Sequence, residues 1–159
     1  MDPRELRNAM GCFATGVTVV TSIGPGGQPV GLTANSFSSV SLDPPLVQFS
    51  LDRGANSIEA FQGSGNFAVN VLREDQVELS NVFAARDANR FAGLPYATWI
   101  TGSPILEGAL ANFDCDTYAA YDGGDHVIFV GRVLRMTCDM DSQPLLFFRG
   151  RYRTLTTTP

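Results

Sequence analysis

The chain has 159 residues, 44% of them apolar, which suits a single domain over residues 1–159 with a buried core. Its formal net charge of −5 removes the positive face that a nucleic-acid backbone requires. All 11 basic residues are Arg and none is Lys, which excludes Schiff-base chemistry and a Lys-dependent phosphate loop.

Asp2-Pro3-Arg4-Glu5 reads as a helix start, with an Asp cap and Pro at the first helical position. The helix is expected to run to about Met10, with Leu6, Met10 and Phe13 on one face. Gly16 to Ile23 is rich in β-branched residues and predicts a strand; Gly24-Pro25-Gly26-Gly27 turns the chain, and Pro29 to Ala34 returns as a second strand. A polar turn, Thr33-Ala34-Asn35-Ser36, follows, and Pro44-Pro45 reverses the chain into a short apolar strand, Leu46 to Leu51. Ser57 to Phe61 predicts one or two helical turns, Phe67 to Leu72 a strand, and Glu74 to Phe83 a helix with Val77, Leu79, Val82 and Phe83 inward. Ala84 to Gly102 reads as a loop long enough to be a lid or a dimer contact.

Phe113 to Tyr121 alternates, which places Asp114, Asp116, Tyr118 and Asp122 on a solvated face. His126 to Met136 is apolar on both faces, as expected of a central strand covered also by a helix or a second subunit. Leu145 to Phe148 and Arg151 to Thr154 form a closing hairpin. Many short strands with few helices predict a mainly β protein, a small β-barrel with peripheral helices. No GxGxxG follows a strand, so a Rossmann nucleotide site is not expected. No apolar run approaches a membrane span, and the N-terminus is not signal-like, so a soluble cytoplasmic protein is expected. Cys12, Cys115 and Cys138 are widely spaced and His126 is the only histidine; no metal site is expected, and the thiols read as free and buried.

Two groups of residues carry recognisable chemistry. Thr33, Asn35 and Ser36 offer mixed donors and acceptors suited to the edge of a flat polar heterocycle, or they satisfy their own turn backbone. Ser50, Arg53, Asn56 and Ser57 cluster at a strand end before a helix start, where an anion could sit on free amides and hydroxyls, or where an ordinary helix cap forms.

In order along the chain, Phe13 to Thr21, Gly31 to Leu51, Phe67 to Leu72, Asp125 to Val133 and Pro144 to Tyr152 resemble the strands and turns of the short-chain flavin reductases. These are the NAD(P)H-dependent partners of two-component monooxygenases. The resemblance implies a homodimeric split β-barrel of Greek-key type that binds FMN or FAD at the subunit interface. It places Thr33, Ala34, Asn35 and Ser36 against the isoalloxazine ring and the start of the ribityl chain, with Ser50, Arg53, Asn56 and Ser57 then the candidates for the flavin phosphate and Leu51 a further cofactor-binding residue. It puts His126 beside the nicotinamide and flavin edge, as a positioner or a donor to reduced flavin. On residue type alone a lone histidine is as well read as structural. Asp125 is not expected to orient it, because neighbours on a strand face opposite ways. Phe91, beside Arg90 in the long loop, falls where the family carries Lys-Phe, and Tyr152 either stacks near the ring or fills the core.

The activity so implied is hydride transfer from NADH or NADPH to flavin, with reduced flavin diffusing to a partner monooxygenase. Two alternatives remain at this level: a non-enzymatic flavin-binding electron carrier, and a split-barrel oxidase with tightly bound FMN.

Overall fold

The computed structural model describes residues 1–86 and 89–156. Helix α1 (Pro3–Met10) begins as expected: the Asp2 side chain accepts from the Arg4 amide at 2.8 Å. The strand expected from Gly16 is broken at Val17 into β1 (Thr15–Gly16) and β2 (Thr18–Ile23), followed by β3 (Pro29–Ala34). The Ser-rich segment after the polar turn, where no strand is expected, forms an edge strand, β4 (Ser38–Leu42), which pairs with β5 (Pro45–Asp52). Serine carries little strand preference, so this strand exists because β5 offers it a ladder.

Helix α2 (Ile58–Ser64), β6 (Asn66–Val71) and α3 (Val77–Ala84) follow within a residue or three of expectation. The long loop contains a small hairpin of β7 (Tyr96–Thr98) and β8 (Pro104–Leu106). The long strands β9 (Ala111–Gly123) and β10 (His126–Cys138) form the main hairpin, and β11 (Leu146–Phe148) with β12 (Arg151–Arg153) close the chain against β1.

Seven strands form one antiparallel sheet in the order β3-β2-β6-β9-β10-β5-β4. Laid flat, its outer strands would stand about 29 Å apart at normal strand spacing. Only Asn35, Ser36 and Phe37 join those two strands, and so short a link spans at most about 14 Å. The sheet therefore curls until β3 faces the β4–β5 edge without pairing with it, giving a barrel split along that seam. The Ser36 hydroxyl crosses part of the seam, donating to the Ser50 carbonyl at 3.0 Å and accepting from the Ser50 amide at 2.9 Å.

The barrel interior is aromatic. Phe49 stacks on Phe129 with centroids 5.2 Å apart, and meets Phe67 and Phe61 edge-on at 4.9 and 5.5 Å. A second apolar cluster lies outside the barrel wall, where Val17, Val19, Leu72, Phe83, Leu106 and Leu145 pack together. Strand β2 serves both, sending Val20 inward and Val19 outward.

Four expectations need correction. Asp114 is fully buried and accepts from the Thr101 amide at 3.1 Å and from its hydroxyl, so it anchors the β7–β8 connection instead of facing solvent. Along β10 only the first half is buried; Leu134 and Met136 are exposed in the single chain. Cys115 is buried but Cys12 and Cys138 are exposed. Val82 faces solvent, and Ser80 takes the inward position on α3. Among the described residues no helix is long and apolar enough to cross a membrane.

Candidate functional site

The barrel seam opens into two adjoining depressions of about 380 and 410 Å³. Both are lined by Asn56 and Ser57, from the turn between β5 and α2, and by Arg86 and Arg90, from the segment after α3. Strand β3 supplies the opposite wall, with Val30 and Gly31 in one and Leu32 and Thr33 in the other. Because β3 pairs only with β2, its outer edge belongs to this cleft.

Of the expected residues, Thr33, Asn56 and Ser57 meet in the 410 Å³ part, and Phe91 lines the 380 Å³ part. Ser57 stands at the cap position of α2, yet its side chain makes no capping hydrogen bond. Its hydroxyl is thus not committed to capping the helix. With seven residues, α2 offers only a short dipole, so its amides alone hold an anion weakly. The Thr33 hydroxyl donates to the Ser80 carbonyl at 2.6 Å and keeps its lone pairs as acceptors.

The positive charge in the cleft comes from Arg86 and Arg90, not from Arg53. The Arg53 guanidinium is engaged with the Gly124 carbonyl at 2.9 Å and with the Asp122 carboxylate. Arg90 donates to the Ala85 carbonyl at 3.1 and 2.6 Å and to the Gly31 carbonyl, bracing the segment after α3 on the edge of β3. Partial burial lowers its pKa from the ordinary arginine value. Arg86 carried no sequence signal beyond its charge, and only the fold brings it to the seam.

Other expected residues lie elsewhere. Asn35 lines a separate depression of about 710 Å³ between α1 and the C-terminal hairpin. Ala34 packs on the barrel core, its carbonyl accepting from Thr18 at 2.8 Å. Ser36 and Ser50 bond each other across the seam, and the Leu51 side chain is buried inside the barrel, leaving its backbone for any ligand. The Tyr152 hydroxyl lies 2.8 Å from the Ser80 hydroxyl and donates to Asn81 at 3.1 Å, so the ring belongs to the second cluster and ties β12 to α3.

His126 opens β10 opposite Asp52, which lines the 410 Å³ depression, but does not itself line either part. Contrary to expectation, Asp125 does orient it: His126 Nδ1 lies 2.7 Å from the Asp125 carboxylate. Asp125 sits in the turn before the strand, where alternation of faces does not apply. A carboxylate only accepts, so Nδ1 carries the proton and Nε2 is the free edge of the ring. The hydrogen bond to His126, and then its charge, hold the Asp125 carboxyl below the usual carboxylate range.

The model of the flavin reductase like domain matches residues 10–156. The chain belongs to the flavin reductase-like family. It is 44% identical over 152 residues to the reductase subunit HsaB of a flavin-dependent monooxygenase from Rhodococcus jostii, covering 96% of this chain and 77% of that protein. It is 41% identical over 152 residues to a flavin reductase from Pseudomonas putida, covering 96% of this chain and 89% of the relative. Among solved structures, the NADH:FAD oxidoreductase SgcE6 of Streptomyces globisporus, in complex with NAD and FAD fragments, superposes with a TM-score of 0.92 at 37% identity. That match covers 99% of this chain and 96% of the other. The chain spans about half of some longer relatives, including 48% of the reductase component of a trigonelline monooxygenase from Acinetobacter baylyi.

The seam residues fit a flavin by their donor set. Arg90 has five N–H groups, of which three bond to carbonyls among the described residues, and its guanidinium is a donor set suited to an anion. Ser57 keeps an uncommitted hydroxyl, Asn56 an amide, and Thr33 an acceptor beside the exposed edge of β3. Among the described residues that line the cleft no hydroxyl is hydrogen-bonded to a general base, as suits a reaction that two cofactors carry out between themselves.

Proposed function

We propose that this chain is an NAD(P)H:flavin oxidoreductase that reduces FMN or FAD with NADH or NADPH and releases reduced flavin to a partner monooxygenase. The observation that carries this reading is the open cleft at the barrel seam, with two arginines, Asn56 and Ser57 at one end and the free edge of β3 along its side. Flavin and nicotinamide supply the hydride chemistry themselves, so the protein contributes binding, orientation and electrostatics.

In this reading Asn56, Ser57, Arg86 and Arg90 hold the flavin phosphate, and the Thr33–Ser36 segment borders the ring. His126, oriented by Asp125, acts at the flavin and nicotinamide edge. The residues are few and either exposed or half-buried, which suits a flavin that binds, reacts and leaves. The chain acts as one domain, and as a homodimer: the outward apolar side chains of Leu6, Met10, Phe13, Leu134 and Met136 support a second copy as their cover. Its place of action is the cytoplasm, where NAD(P)H is available.

The test is anaerobic mixing of catalytic amounts of the chain with excess FMN or FAD and NADH or NADPH. Bleaching of many flavins per chain is expected. Reduction of one bound flavin per chain would instead mark an electron carrier or a bound-flavin oxidase.

A further inference from the structure

A depression of about 930 Å³ continues from the 380 Å³ part of the seam, with which it shares Gln28, Val30, Asn56 and Ser57. Its chemistry differs from that of the seam. Among the described residues that line it none is cationic, and its one charged side chain is Glu59. Ile23, Pro25, Val30 and Ala60 give it apolar surface. Its far wall is set by hydrogen bonds inside the chain: Asn66 donates to the Ser64 carbonyl at 3.0 Å and accepts from Ser103 at 2.7 Å, while buried Asp114 holds Thr101. The cleft is therefore formed before any ligand arrives.

We infer that this cleft takes the adenosine half of FAD, so that the chain prefers FAD to FMN. The inference rests on the flavin-reductase reading. Charge divides along the groove as it does along the ligand: arginines at the diphosphate end, and an uncharged, partly apolar compartment at the purine and ribose end. Apolar side chains suit the purine face, and a carboxylate such as Glu59 accepts from a ribose diol, as acidic residues do in other nucleotide sites. The same carboxylate, with no cation beside it, opposes a phosphorylated ribose. Continuity with the flavin-phosphate residues favours FAD over the dinucleotide reductant as the source of the adenosine.

Gly63 on α2 provides the test, since it lines the cleft and a Cβ there meets nothing within 4 Å. Gly63→Phe fills the compartment without touching the seam. The expected result is a wild-type KM for FAD about tenfold below that for FMN, with Gly63→Phe raising the FAD value about tenfold and leaving the FMN and NADH values unchanged. Unchanged FMN reduction also shows that the variant is folded. Equal use of FAD and FMN by wild type, or equal effects of the substitution on both, would overturn the inference while leaving the reductase reading intact. A raised KM for NADH with that for FAD unchanged would also overturn it, assigning the cleft to the reductant. Failure of wild type to reduce either flavin would overturn the reductase reading, and the inference with it.

Discussion

Arg90 joins the fold to the proposed chemistry, and Arg90→Met separates its two roles. Methionine keeps an unbranched apolar stem against β3 and removes every donor. Among the described residues three N–H groups serve the Ala85 and Gly31 carbonyls, and the proposed role gives two others to the flavin phosphate. The lost internal bonds are partly exposed and cost about 1 kcal/mol of folding stability, a small share of the roughly 5–15 kcal/mol typical of a domain. Two hydrogen bonds to a phosphate in a half-open cleft are worth about 2 kcal/mol together, which is roughly 30-fold in affinity.

Titration by flavin fluorescence with FMN and with riboflavin, which lacks the phosphate, reads the second role alone. FMN binding is expected to weaken about 30-fold and riboflavin binding less than about threefold, with Arg90→Lys between wild type and Arg90→Met because it keeps charge but not the fork. Equal weakening of both ligands would show that Arg90 only braces the wall. Unchanged FMN binding would remove the phosphate from this end of the seam.

Three further predictions address the core, the thiols and the histidine. Gly131→Ala is expected to cost about 2–3 kcal/mol in urea unfolding, because a Cβ there lies 2.4 Å from the Phe67 ring and 2.8 Å from Cys115 inside the packed barrel; Gly16→Ala, with nothing within 4 Å, is expected to stay within about 0.5 kcal/mol. Cys12 and Cys138 should react with a thiol reagent in the native chain and Cys115 only after unfolding. Burial first, then Asp114 and Asp116, push the Cys115 thiol up to about 12. The unfolded thiol ionises near 8.5 while the native one stays protonated, so Cys115 lowers stability as pH rises from about 8.5 toward 12, read by alkaline melts of wild type against Cys115→Ala. His126→Gln should lower kcat about tenfold with flavin affinity little changed, and Asp125→Asn should lower it less; a change in flavin KM alone would assign His126 to binding.

The strands were legible where the chain writes them in β-branched and aromatic residues, as in β2, β6 and β10. Strand β4 was not, because Ser38-Ser39-Val40-Ser41 carries no strand signal and owes its shape to β5 beside it. Nor was the burial of Asp114 legible: its alternation with Cys115 is real, but both faces of β9 are covered there, one by the barrel core and one by the β7–β8 connection. At the candidate site, Thr33, Asn56 and Ser57 were legible because small polar residues near a strand end and a helix start suggest ligand contacts. Arg86 was not, since its place depends on the chain leaving β3 at Ala34 and returning to it only after β4, β5, α2, β6 and α3. The engagement of Arg53 by Asp122 was equally hidden, as it joins positions 69 apart in sequence. Local pattern thus pointed to the small polar residues that line the cleft, and tertiary closure brought the arginines to it.

The most direct test of the account is a crystal structure of the chain with FMN bound. The phosphate is expected within hydrogen-bond distance of Arg90, Asn56 and Ser57, with the ring bordered by the Thr33–Ser36 segment. A flavin phosphate bound away from the β3 seam would contradict it.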